Sequence, residues 1–223
     1  FPISAADDAL LDGTQSVTIT TSASGGEPFG LDDTFGNGGI ASTSLSLNGS
    51  QAVAVQPDGK IVAAAASPVA NTMWRITRLN GDGSVDATFG VDGIVDTTFP
   101  VAYPDPSKIV IQPDGKILVG GKISLGVGSA ALARYNADGS LDTTFGGGGV
   151  ANLSGITGWI EDLEVRPDGK IMLAIAFNGT VYFRTARLNP NGSLDASYGD
   201  SGVLTLSSIN SSSMAIRPLV SRI

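Results

Sequence analysis

Apolar and polar residues alternate along this chain in short runs separated by turn formers. Gln51-Ala-Val-Ala-Val-Gln56 alternates, Pro57-Asp-Gly-Lys60 follows, and Ile61-Val-Ala-Ala-Ala-Ala66 returns as a small apolar run. Runs of this length and period read as β-strands, and the four residues between them read as a hairpin corner. Pro presets φ at the first corner position, Asp tolerates the second, and Gly takes the left-handed position from which the next strand starts. The pattern predicts a third strand over 73–79, a polar turn at Asn80-Gly-Asp-Gly-Ser84, the phrase Val85-Asp-Ala-Thr-Phe-Gly90, and a fourth strand over 93–99. No stretch carries the 3.6-residue period of an amphipathic helix.

This unit of four short antiparallel strands recurs. Pro-Asp-Gly-Lys opens at Pro57, Pro113 and Pro167, and a second phrase, Leu/Val-Asp-x-Thr/Ser-Phe/Tyr-Gly, opens at Leu31, Val85, Leu141 and Leu194. The second unit predicts strands over 108–112, 116–122, 130–136 and 149–153, and the third over 162–166, 170–176, 181–189 and 202–206. A period in the fifties marks an architecture in which each unit buries its apolar face only against a neighbour. Four strands per unit make the expected fold all-β, a β-propeller of four-stranded antiparallel blades. Three units are complete, at about 51–99, 107–153 and 161–206, and a partial blade is drawn from 39–47 and 213–223. Either an open arc cut from a larger ring or a four-bladed ring closed by the two ends satisfies this count.

The recurring side chains read as architecture. Asp58-Gly59, Asp114-Gly115 and Asp168-Gly169 make the corners, while Phe89, Phe145 and Tyr198 recur as wedges between neighbouring units. Arg78, Arg134 and Arg187 fall on the apolar face of their strands and need partners if covered. The equally periodic Asp86, Asp142 and Asp195 are the expected ones, in a bidentate pair that would lock the third strand to the following loop.

Composition narrows the chemistry. The 223 residues include 13 basic and 21 acidic ones, a net charge of −8, which argues against nucleic acid and anionic membrane as partners. With no cysteine and no histidine, thiolate nucleophiles, imidazole bases and the commonest zinc ligands are all missing. Catalysis would fall to carboxylates, Lys, Tyr or a hard cation.

The paired PDGK and LDxTFG phrases, over about 31–217, resemble the delta-60 repeat, a family of tandem β-propeller units of large bacterial surface and secreted proteins. That resemblance implies the propeller fold and a bacterial, extracellular or cell-surface location, and it brings no shared catalytic motif. The fourth copy departs from the pattern, since Leu219-Val220 replaces the Asp-Gly corner after Ile216-Arg217-Pro218. Residues 1–25, with Asp7, Asp8 and Asp12 around the alternating Val17-Thr-Ile19-Thr, resemble the last strands of a Calx-β domain; residues 26–223 form the propeller repeats.

Three kinds of site are weighed. Asn80, Asp82 and Asp86, and likewise Asn136, Asp138 and Asp142, set oxygens at alternate positions around a glycine, as calcium loops do; the third unit has Asn191 instead. Turns held by their own Asn and Asp side chains account for the same letters. Asp105, Glu161, Asp162 and Glu164 are unrepeated acids open to glycosidase or lyase chemistry, but no acid/base pair emerges. The loops that differ between units, at 67–72, 101–107, 123–129, 154–159 and 177–180, carry Trp159 and Tyr103, unrepeated aromatics placed to stack on a sugar or peptide. The Asn-x-Ser/Thr tripeptides at Asn48, Asn152 and Asn178 are accounted for by composition. The reading that results is a non-enzymatic scaffold or adhesive module without a cofactor, calcium apart. Its loop surface would meet a protein or carbohydrate, with neighbouring blades or domains as further partners.

Overall fold

The computed structural model describes residues 31–41, 48–67, 70, 72–100, 104–123, 128–177 and 182–207. Its strands are β1 (Asn48–Val55), β2 (Ile61–Ala66), β3 (Met73–Leu79), β4 (Ile94–Thr98), β5 (Asp105–Ile111), β6 (Ile117–Ile123), β7 (Ser129–Tyr135), β8 (Trp159–Val165), β9 (Ile171–Ala176), β10 (Tyr182–Leu188) and β11 (Val203–Ser207). They form antiparallel sheets β1-β2-β3-β4, β5-β6-β7 and β8-β9-β10-β11, one per repeat. Each sheet is a meander in which consecutive strands pair, as short connections require. β1 packs beside β5 and β5 beside β8, so the blades lie side by side through their first strands. Among the described residues the arrangement is open.

The hydrophobic cores lie between blades. Trp74, Ile76, Phe89 and Phe99 of the first blade share one cluster with Ile109, Ile117, Val119 and Tyr135 of the second. Leu118, Leu132 and Phe145 share another with Ile160, Leu173, Ile175 and Leu188 of the third. Phe35 and Ala41 cover the remaining side of the first blade against Ile61 and Leu79. Second strands are therefore covered on both faces, which explains why Ile61–Ala66 is a continuous apolar run. Between the first two blades, the hydroxyls of Thr97 and Tyr135 lie 2.7 Å apart, both buried; burial pushes the Tyr135 phenol well above its usual range.

The second blade differs from its expectation. Residues 149–153 form no strand: Ala133 pairs with Val150 and Ser129 with Thr157 in isolated bridges. Between them the chain loops out, closed by a bond from the Ser154 N–H to Asn152 Oδ1 at 3.1 Å. Pairing resumes when the Ala130 N–H reaches Ile156 O at 3.2 Å. The four-residue excursion breaks the fourth strand, and part of the loop expected over 154–159 is sheet edge.

Candidate functional site

Two kinds of chemistry sit at opposite ends of the blades. Because the strands of each sheet pair antiparallel in sequence order, the Pro-Asp-Gly-Lys corners and the Asn-x-Asp/Asn-Gly-Ser turns share one end. The described residues of the unrepeated loops lie at the other.

At the repeated end, each unit builds the same joint. Asp86 accepts the Thr88 backbone N–H and hydroxyl on Oδ1, at 3.1 and 2.6 Å. Its Oδ2 accepts Arg78 Nε at 2.7 Å and Lys60 Nζ at 2.8 Å. Asp142 repeats this with Thr144, Arg134 and Lys116, and Asp195 with Ser197, Arg187 and Lys170. The Lys60 bond, then Thr88 and Arg78, hold the Asp86 carboxyl well below the usual carboxylate range. Burial opposes ionisation of Asp142, but Thr144, Lys116 and the Arg134 charge outweigh it, and Asp195 is lowered chiefly by Lys170 and Ser197.

The arginines reach Asp through Nε alone, so the expected bidentate pair does not form, and in the first two units the guanidinium bridges to the next unit instead. Arg78 Nη1 donates to Ala137 O of the second unit at 2.5 Å, and Arg134 Nη1 to Pro190 O of the third at 2.6 Å. A guanidinium offers donors in several directions, and a carboxylate already holding a lysine needs only one of them. Each arginine also lies over its wedge ring: 4.7 Å from Phe89, 4.4 Å from Phe145 and 4.7 Å from Tyr198. Nothing in the sequence pattern assigned the lysines of the Pro-Asp-Gly-Lys phrase to the aspartates, since a turn or strand-start role accounts for them. Their recurrence 25 or 26 residues before the aspartate was the available signal.

The calcium-like oxygens are engaged locally. Asp82 Oδ1 accepts the Ser84 N–H and hydroxyl at 2.9 and 2.7 Å, Asp138 does the same for Ser140, and Asn191 for Ser193. Asn80 and Asn136 donate to the same serines. Among the described residues, no group of three or more His, Cys, Asp or Glu converges to hold a metal.

At the unrepeated end, Trp159 stands at the start of β8, half-buried. Its Nε1 donates to Glu161 Oε2 at 2.8 Å. A register shift between Ile160 and Asp162 leaves Glu161 unpaired in the ladder with β9, and such a bulge re-aims a side chain. Close by in sequence, Arg184 Nη1 donates to Thr157 Oγ1 at 3.1 Å. Asp162 is paired with Lys108 at 2.8 Å and Asp105 with Lys122 at 3.3 Å. Tyr103, the stretch that resembles Calx-β, residues 42–47 of the partial blade, all of 213–223, and most of the other unrepeated loop positions lie outside the described residues.

Three segments, 56–89, 112–145 and 166–198, match a protein-family model described as "Domain of unknown function (DUF5122) beta-propeller". No curated protein matches the chain. Among solved structures, it is similar to a protein of unknown function from Bacteroides caccae, with 11% identity, a TM-score of 0.28, and coverage of 70% of this chain and 71% of that one. Each matched segment runs from the first hairpin corner to the wedge aromatic, the span that builds one joint, and the chain is a β-propeller repeat protein.

Proposed function

We propose that this chain is a non-enzymatic scaffold that presents a binding surface at the unrepeated end of its blades, within a bacterial surface or secreted protein of the delta-60 repeat kind. One observation carries the reading: the recurring charged groups are engaged within and between the blades at one end, whereas the described residues that vary between units, Trp159 among them, lie at the opposite end. A surface that can vary without disturbing the joints is what a recognition module requires. Trp159, with its indole N–H oriented by Glu161, offers an apolar ring and a fixed polar edge, a combination suited to stacking on a sugar or on a peptide side chain.

The test is a glycan and peptide array probed with the whole chain and with Trp159→Ala. Retention of discrete ligands by the parent, weakened at least tenfold in the variant, supports the reading. Binding indifferent to Trp159 removes this surface from it. Turnover of a glycoside that is lost in Glu161→Gln refutes the non-enzymatic part.

A further inference from the structure

We propose that Asn37 is a self-modification site, whose side-chain amide is converted to isoaspartate by the Gly38 backbone nitrogen and water, and that the conversion loosens the hold of residues 31–41 on the first blade. Turns of one build stand at the repeated end, over 36–40, 90–94, 146–150 and 199–203. In each, the second residue donates its N–H to the carbonyl of the fifth: Asn37 to Ile40 at 2.8 Å, Val91 to Ile94 at 2.9 Å, Gly147 to Val150 at 2.8 Å and Asp200 to Val203 at 2.7 Å. That second residue is where the copies differ in chemistry. Valine and glycine offer no side-chain carbonyl, and Asp200 offers a carboxylate, a poor target for a nucleophile, followed by Ser201. Asn37 offers an amide followed by glycine.

The surroundings leave that amide free to react. Asn37 is exposed, and among the described residues neither its side chain nor the Gly38 N–H has a hydrogen-bond partner. Gly38 has φ +63°, and a β-carbon there would meet nothing within 4 Å, so the tetrahedral centre formed in the attack has room. Other Asn-Gly pairs with described side chains are tied down. Asn80 Nδ2 donates to Ser84 Oγ at 3.0 Å. Asn191 Oδ1 accepts the Ser193 N–H and hydroxyl at 3.1 and 2.8 Å, and the Gly192 nitrogen that would attack it already donates to Asn189 O at 2.9 Å. Each must open locally before it reacts.

The step balances with water alone. The Gly38 nitrogen bonds to Asn37 Cγ and gives up its proton, the Cγ–Nδ2 bond breaks, and ammonia leaves with that proton. Water then opens the succinimide. Attack at the main-chain carbonyl carbon of residue 37 leaves the backbone running through the side chain, as isoaspartate with one added methylene; attack at Cγ gives ordinary aspartate. The methylene matters because this turn is a joint. The Gly36 N–H donates to Asp82 O at 2.7 Å, and Phe35 and Ala41, on either side of the turn, pack on Ile61 and Leu79. A β-carbon on Gly39 would collide with Leu31, so the turn has no slack to absorb an extra backbone atom.

The experiment ages the whole chain at mildly alkaline pH. Peptide mapping by mass reads the exchange of NH2 for OH, and methylation by an isoaspartate-specific methyltransferase reads the isomer. Asn37 should convert at least tenfold faster than Asn80 or Asn191, as the hydrogen bonds those residues must give up would produce. In the isoaspartyl fraction, separated by chromatography, hydrogen exchange at the Gly36 amide should quicken at least tenfold and Tm should fall by about 2–4 °C, as the loss of one hydrogen bond would give in a chain of this size. Asn37→Asp adds the charge without the methylene and should leave both values where they are, while Asn37→Gln should abolish methylation at this site. Conversion of Asn80 or Asn191 as fast as that of Asn37 overturns the siting. Isoaspartyl protein with unchanged Gly36 exchange overturns the loosening, and an equal change in Asn37→Asp overturns the role given to the backbone.

Discussion

Replacing Gly139 by alanine separates two costs that are usually confounded. Gly139 has φ +90° and Gly59 has φ +84°, so alanine at either meets about 1 kcal/mol or slightly more of left-handed backbone strain. A β-carbon at Gly59 meets nothing within 4 Å, whereas one at Gly139 would lie 2.8 Å from Val95 Cγ2 and 2.9 Å from Phe89 Cε2. Phe89 is fully buried and has the Arg78 guanidinium 4.7 Å from its centroid, so the ring cannot retreat without disturbing that contact. Overpacking of this kind costs about 1–3 kcal/mol. Gly139→Ala should therefore destabilise by about 2–4 kcal/mol and Gly59→Ala by about 1 kcal/mol. Equilibrium urea unfolding followed by the fluorescence of buried Trp74 measures both, with lowered midpoints and unchanged m-values as the signature of a pure stability change. Equal losses in the two variants would refute the claim that Gly139 is required by the wedge beneath it.

Other outcomes follow from the joints. Arg134→Ala removes a buried ion pair, a carbonyl bond to the third unit and a ring contact together, and should cost about 3–5 kcal/mol in the same titration. Lys116→Ala, whose side chain is 30% exposed, should cost about 1 kcal/mol or less. Tyr135→Phe leaves the buried Thr97 hydroxyl unpaired and should cost about 1–3 kcal/mol, while adding Thr97→Val should recover part of that loss. As the pH falls, the unfolded chain takes up protons before the native one, because Asp86, Asp142 and Asp195 have lowered pKa values when folded. Tm should hold above the ordinary carboxylate range, decline through it, and lose this contribution entirely once the native carboxylates protonate. Asp142→Asn should flatten that decline, and an unchanged slope would count against the assignment.

Much of the site was legible because each unit repeats it. Arg78 and Asp86 fall at the same separation as Arg134 and Asp142, and pairing them required only that a covered charge find a partner. What the repeat did not reveal was how one carboxylate is shared. Lys60, Lys116 and Lys170 had a sufficient role as turn residues, so nothing in their spacing demanded a second one. The broken edge of the second blade was likewise hidden, since Val150-Ala151 and Ile156-Thr157 each look like a strand fragment, and only their common neighbour β7 makes them one interrupted edge.

By itself the sequence determined most of the strands, their order within each unit and the recurrence of the unit, because alternation and turn chemistry are local. The third strands of the first two units, expected over 73–79 and 130–136, form at Met73–Leu79 and Ser129–Tyr135. Only the tertiary structure decided what each repeated charge and aromatic meets. Arg78 finds its second acceptor 59 residues away on Ala137, and Phe89 has its place under Gly139, because apolar faces too small to be buried within one blade are buried against the next. Contacts between units depend on how the sheets stack, and no local pattern within a unit encodes that.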